Sequence, residues 1–242
     1  MDIMTIAIWL MLLFISWLAA TISGIAGFGG SLIILPVFSF LIGAKKAIPI
    51  LTIAWMMGNL SRASFGYKEI RWKPVIYFCI GALPAAVLGA RVFVELPSGL
   101  IMKAIGIFLL VVVALRHLKI KYRIAEKWFI LCGALVGFLS AVLGSAGPIG
   151  AVAFLSLNLA PTAYVASEAV TAVVMHLTKT AVYGRYALLT RQDVIVGVIL
   201  GFAMVIGSWT ARRFIKKMSG TMFGYFVDIL LVAAAFSLFF NK

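Results

Sequence analysis

Two long stretches of this 242-residue chain carry no charge, and they match. Asp2 and Lys45 enclose 42 uncharged residues; Lys127 and Glu168 enclose 40. Each holds the same pattern of small residues, Gly24, Ala26, Gly27 and Gly30 in the first and Gly144, Ala146, Gly147 and Gly150 in the second, 120 positions apart throughout. A chain built this way is expected to fold as two copies of one unit. Uncharged runs this long exceed the roughly 20 apolar residues that one helix needs to cross a bilayer, which points to lipid as the solvent. Duplicated membrane units with a glycine-rich break in each copy are one way to build a central binding site.

Composition agrees. Charged residues make up 12% of the chain and hydrophobic ones 64%, whereas soluble domains are about a quarter charged. Runs of alternating polarity, which mark a membrane barrel, are absent from the sequence. The expected fold class is an all-α polytopic membrane protein with two pseudo-symmetric, inverted five-segment repeats, each with a glycine-broken short segment. A net charge of +14 would suggest nucleic acid for a soluble protein. Here the basic residues lie mostly in short loops between apolar segments, where they set orientation and meet anionic head groups. The bilayer is therefore the expected partner, nucleic acid is not, and self-association is left open. The N-terminal MDIMTIAIWL lacks a basic n-region and reads as a retained first span. Cys79 and Cys132 fall in apolar segments and read as packing residues, with no metal spacing and no cofactor motif.

Ten apolar segments are predicted, at 3–23, 28–43, 47–66, 74–94 and 98–115 in the first copy and 128–143, 148–159, 163–184, 193–211 and 220–240 in the second. Repeat one thus covers 1–115, a charged linker 116–127, and repeat two 128–242, within one transmembrane domain. Segment 28–43 is interrupted by Pro36, and segment 148–159 is short. If all ten cross, 12 basic residues gather on one side and 7 on the other; the positive-inside rule then puts the linker in the cytoplasm and both termini outside. Eight crossings with two partial segments is the alternative.

Two basic residues remain inside apolar segments. Arg62 and Lys179 lie in the third segment of each copy, 117 positions apart, as do Asn59 and His176. Asn59–Arg62 and His176–Lys179 are both spaced i, i+3, so each pair shares a helix face. A cation within a membrane helix is costly, which makes function the default reading; the bland alternative is that both snorkel toward Lys68 and Arg185. The breaks at Gly27, Gly29 and Gly30, and at Gly147 and Gly150, precede short segments whose helix N-termini would favour an anion. Their bland alternative is close helix packing. Glu168, Thr171, Met175, His176 and Lys179 form a stripe, read either as a proton relay through Glu168 and His176 or as an interfacial Glu168 above a hydrogen-bonded core His176. Asp228 has no counterpart in the first copy, where Phe108 stands.

The run GIAGFGGSLIILPVF, followed by a polar third segment, resembles the first half of the TauE/SafE-type sulfite exporter and toluenesulfonate uptake permease family. Gly27, Gly29, Gly30 and Pro36 match its pattern, and GFLSAVLGSAGPIG resembles the second-half counterpart. The likeness extends over essentially the whole chain. It departs at Pro148, where consecutive glycines are usual, and at Ser156, where a proline is expected. The resemblance implies export or uptake of small sulfur anions such as sulfite, thiosulfate, sulfoacetate or other organosulfonates. The combined expectation is a gradient-coupled secondary transporter, not an enzyme, in the cytoplasmic membrane. A channel-like or structural membrane subunit, and an intramembrane hydrolase using Ser145, are the competing readings.

Overall fold

A computed structural model describes residues 3–26, 29–117 and 124–214. Gly27, residues 118–123 of the linker, and the tenth expected segment with Asp228 lie outside them. The described residues form nine α-helices and two single 3-10 turns: α1 (Ile3–Ala26), α2 (Gly30–Ile42), α3 (Ala44–Phe65), α4 (Trp72–Glu95), α5 (Ser98–His117), α6 (Phe129–Leu143), α7 (Gly147–Leu155), α8 (Pro161–Arg185) and α9 (Arg191–Phe214). Four stretches, Ile6–Ile25, Trp72–Glu95, Glu126–Leu143 and Arg191–Arg213, are long and apolar enough to cross a membrane. Helices α3 and α8 have the length, 22 and 25 residues, but their apolar runs are interrupted by the polar groups discussed below.

Small residues set how the helices pack. Gly133 lies against the Phe78 backbone and Gly137 against Ala82, so α6 runs parallel to α4 at backbone-to-backbone distance. In the same way Gly207 abuts Trp17 and Gly24 abuts Ala211, aligning α9 with α1, while Gly197 meets Ile50 and Gly58 meets Met204, aligning α9 with α3. Helix α8 keeps step with α4, from the Arg71 N–H bonded to Ser167 Oγ at one end to the Phe93–Tyr183 ring contact at the other. Helices α3 and α8 cross antiparallel, because Arg62 faces Glu168 whereas the earlier Trp55 faces the later His176. Hence α1, α3 and α9 run one way, and α4, α6 and α8 the other.

Within each set a short helix turns the chain back, α2 between α1 and α3 and α7 between α6 and α8. Helix α2 folds back on α1, with Gly30 against Ala19 and Ser23. Helix α7 folds back on α6, with Gly150 beside Val136 and the Phe154 ring edge-on to Phe129. At 1.5 Å per residue, 13 and 9 residues cover roughly 20 and 14 Å, less than the roughly 30 Å hydrocarbon core. The expected interruption at Pro36 does not occur: α2 continues through it and stops at Gly43, whose φ of 79° favours glycine. Buried neighbours allow a proline-broken hydrogen bond in a membrane helix.

The core is mostly Ala, Leu, Ile and Phe. Large apolar side chains including Leu10, Phe14, Ile80, Leu131, Phe202 and Ile206 point outward. A soluble monomer does not expose this much apolar surface.

Candidate anion-binding site

The α3–α8 crossing buries Asn59, Arg62, Glu168, His176 and Lys179 among other polar side chains. Arg62 is 7% exposed and Lys179 is fully buried, so neither snorkels to an interface. Arg62 donates through Nη1 to the Ser23 carbonyl at 3.2 Å and through Nη2 to Asn59 Oδ1, and Nη2 lies 3.6 Å from Glu168 Oε2. Asn59 is itself anchored, its amide donating to the Trp55 carbonyl at 2.8 Å. The i, i+3 pairing of Asn59 with Arg62 is thus a direct contact. Glu168 is buried, not interfacial, and its Oε2 faces Arg62 with no hydrogen-bond donor among the described residues. His176 Nδ1 likewise has no partner among them, which departs from a hydrogen-bonded core histidine.

Lys179 is placed differently from Arg62. Its ammonium donates to the Ser140 carbonyl at 3.2 Å, Ser140 Oγ at 3.0 Å and the Gly144 carbonyl at 3.2 Å. Those three bonds use all its donors and close the C-terminal end of α6, where carbonyls are unpaired and the helix dipole is negative. Arg62 makes a matching contact to the last turns of α1. Arg62–Ser23 and Lys179–Ser140 both span 39 residues, both bond a serine carbonyl in the last turns of a helix, α1 or α6, and both measure 3.2 Å.

The glycine breaks meet beside these cations. Gly29, at φ 100°, ends the first break and caps α2. A Cβ on Gly30 would run into the Ala19 carbonyl, so this glycine also serves close packing. The Gly30 and Ser31 N–H groups precede the α2 ladder, whose Leu32 N–H bonds back to the Gly29 carbonyl. In the second break Gly144 turns at φ 82° and Ala146 caps α7. Gly147 opens α7, and Pro148 removes one N–H from its first turn. Ser31 Oγ and Ser145 Oγ are 2.5 Å apart and join the two breaks directly. Ser145 therefore has a serine as its hydroxyl partner, not a histidine.

Between these parts lies a cavity of about 60 Å³, walled by Gly29 and Ser31, by Trp55, Asn59 and Arg62, by Ser140, Gly144, Ser145, Gly147 and Gly150, and by Glu168, Thr171 and His176. A smaller lobe of about 30 Å³ opens toward α1 and α9 and shares Ser23, Ser31, Trp55, Asn59 and Arg62 with it. One water needs about 10–15 Å³ on this measure, so the larger lobe holds a few waters or one small oxyanion. Of the residues expected at the site, Arg62, Asn59, His176, Glu168, Gly29, Gly147 and Gly150 line it; Gly30 lines the smaller lobe, Lys179 stands behind the wall, and Gly27 is outside the described residues. The sequence reading missed Trp55, Ser31 and Ser140. Trp55 was detectable, because it precedes Asn59 by four and Arg62 by seven and so shares their face.

The site gathers two basic side chains, Arg62 and Lys179, and one acidic one, Glu168, in a medium that penalises charge. A family model described as sulfite exporter TauE/SafE matches residues 12–238, and the chain belongs to this family. No curated protein and no solved structure matches it.

Proposed function

We propose that this TauE/SafE family member is a secondary transporter that exports a small sulfur oxyanion, sulfite or thiosulfate foremost and small organosulfonates such as sulfoacetate, across the cytoplasmic membrane as a multi-pass protein. The observation that carries this is Arg62, buried in the wall of a small cavity where two glycine breaks meet. Arg62 supplies the planar donor fork that suits an oxyanion. Asn59 holds that fork, His176 and the hydroxyls of Ser31 and Ser145 offer further hydrogen bonds, and the α2 and α7 N-termini at Gly29–Ser31 and Gly147–Gly150 add positive dipole ends. Lys179 contributes charge from behind the wall.

An inverted repeat provides alternating access. Helices α1, α3 and α9 run opposite to their counterparts α6, α8 and α4, and the 39-residue cation-to-serine contact recurs in both copies, which supports that architecture. It follows from an odd number of segments per copy with the short helices counted as reversals.

Glu168 supplies the coupling. It competes with the substrate anion for Arg62, so the anion loads as Glu168 takes up a proton. A doubly charged oxyanion with one proton carries one net negative charge, and an inside-negative potential drives that outward at about 2.3 kcal/mol per 100 mV. Efflux of sulfite, thiosulfate and sulfoacetate from proteoliposomes under an imposed potassium diffusion potential tests this. Wild-type efflux should rise with inside-negative potential, and Arg62→Gln should lower it at least about tenfold, the scale for losing one partner of a buried charge pair. Unchanged efflux in Arg62→Gln would take the cavity out of the pathway. Absence of wild-type flux for all three anions would remove the substrate class.

A further inference from the structure

We propose that Trp55 is a substrate-contacting residue, its indole N–H donating directly to an oxygen of the bound anion. This rests on the anion site described above and adds to it a group with a stated role.

Trp55 is 5% exposed, and its Nε1 has no hydrogen-bond partner among the described residues. Buried indole N–H groups normally find one. Trp55 also belongs to the wall of both lobes, so a ligand in the cavity would lie against the indole. An indole N–H only donates. The missing partner must therefore be an acceptor, which fits an oxyanion and excludes a cation.

The surroundings sharpen this role. The Lys179 ammonium stands over the Trp55 ring at 5.9 Å from its centroid. A cation on that face draws on the ring's π density, which makes the N–H at the ring edge a stronger donor. Since Lys179 spends its three protons on Ser140 and Gly144, Trp55 is the means by which its charge reaches the ligand. The His176 ring sits 5.7 Å away on a tilted plane, and the Trp55 carbonyl holds Asn59. The indole is therefore fixed by its neighbours and not by the N–H, which is left for the ligand.

Trp55→Phe keeps a ring and removes the donor. A hydrogen bond to a charged group corresponds to a factor of about 10 to 100 in affinity. In proteoliposomes the variant should raise the sulfite KM by that factor with kcat close to wild type, a split that a packing defect would not give. Arg62→Gln is measured beside it. Loss in both variants supports the proposal. Loss in Arg62→Gln with an unchanged KM in Trp55→Phe overturns the role of Trp55 and leaves the site intact. Unchanged KM in both overturns the site and Trp55 together. If Trp55→Phe does not fold, wild-type protein carrying 5-fluorotryptophan replaces it. Among the described residues, Trp55 is the only tryptophan of the six in the cavity wall, so sulfite should shift one fluorine resonance strongly, and a titration that shifts none overturns the proposal.

Discussion

Glu168→Gln should weaken the empty protein and tighten its hold on the anion. The carboxylate lies 3.6 Å from the Arg62 guanidinium, and both groups are buried. At an effective dielectric constant near 20, unit charges at that distance attract by about 4–5 kcal/mol. Removing one partner of a buried pair costs about 3–5 kcal/mol, because the other charge is stranded. For a chain of this size, each kcal/mol lowers the melting temperature by about 2–4 °C, so the ligand-free variant should melt about 10 °C lower in detergent. The substrate anion then restores what Glu168 supplied. Even if Asn59 and water offset most of the attraction, about 1.4 kcal/mol should remain, a roughly tenfold lower Kd. Thermal unfolding with and without thiosulfate, and titration calorimetry, measure both effects. In the wild type, affinity should rise as the buffer is acidified, since a protonated Glu168 no longer occupies Arg62; in Glu168→Gln that dependence should vanish. Thiosulfate affinity equal to or below wild type, with the pH dependence intact, would refute the competition.

The other central cation gives a different prediction. Lys179→Met leaves the Gly144 carbonyl and Ser140 Oγ without their donor, at about 1–3 kcal/mol each. Its melting temperature should fall by about 5–15 °C, with a smaller rise in KM than Arg62→Gln causes; a KM effect as large as that of Arg62→Gln, at wild-type stability, would make Lys179 a direct ligand. At the breaks, Ser31 Oγ and Ser145 Oγ are 2.5 Å apart. The pair Ser31→Cys and Ser145→Cys, in a Cys79→Ser, Cys132→Ser background, should oxidise to a disulfide and stop efflux until reduced; cross-linked protein that still transports would show that the breaks need not separate.

Most of the helical plan was readable from charge-free runs and glycine spacing, because these express requirements of lipid and of close backbone approach. The boundaries of α4 and α8 fall within two residues of the predicted segments. Helix α7 ends earlier than expected, at Leu155, since Ser156 Oγ bonds back to the Ala153 carbonyl and the chain turns through Asn158 at φ 50°. At the site, the Asn59–Arg62 pairing was legible as a local i, i+3 relation. The Arg62–Glu168 pair was not, because it depends on the antiparallel crossing of α3 and α8, helices far apart in sequence. Nor was the bonding of Lys179 to the end of α6, which depends on where that helix stops, 35 to 39 residues upstream.

The divergence of Arg62 and Lys179 has an electrostatic reason. Two cations at pseudo-equivalent positions, both facing one small cavity, would repel each other in the empty protein and hold an anion too firmly to release it. Here each is offset by different means. The carbonyls closing α6 surround the Lys179 ammonium, a fixed compensation that no ligand displaces. Arg62 makes the matching serine contact, bonds Asn59 and also faces Glu168, a group that a proton can neutralise. In the proposed cycle the site is therefore asymmetric, with one cation anchoring a helix end and the other exchanging its counter-charge. That proposed exchange would give the anion a reason both to bind and to leave, and it would draw on Glu168 alone, since the matching sequence position in α3 is Leu51.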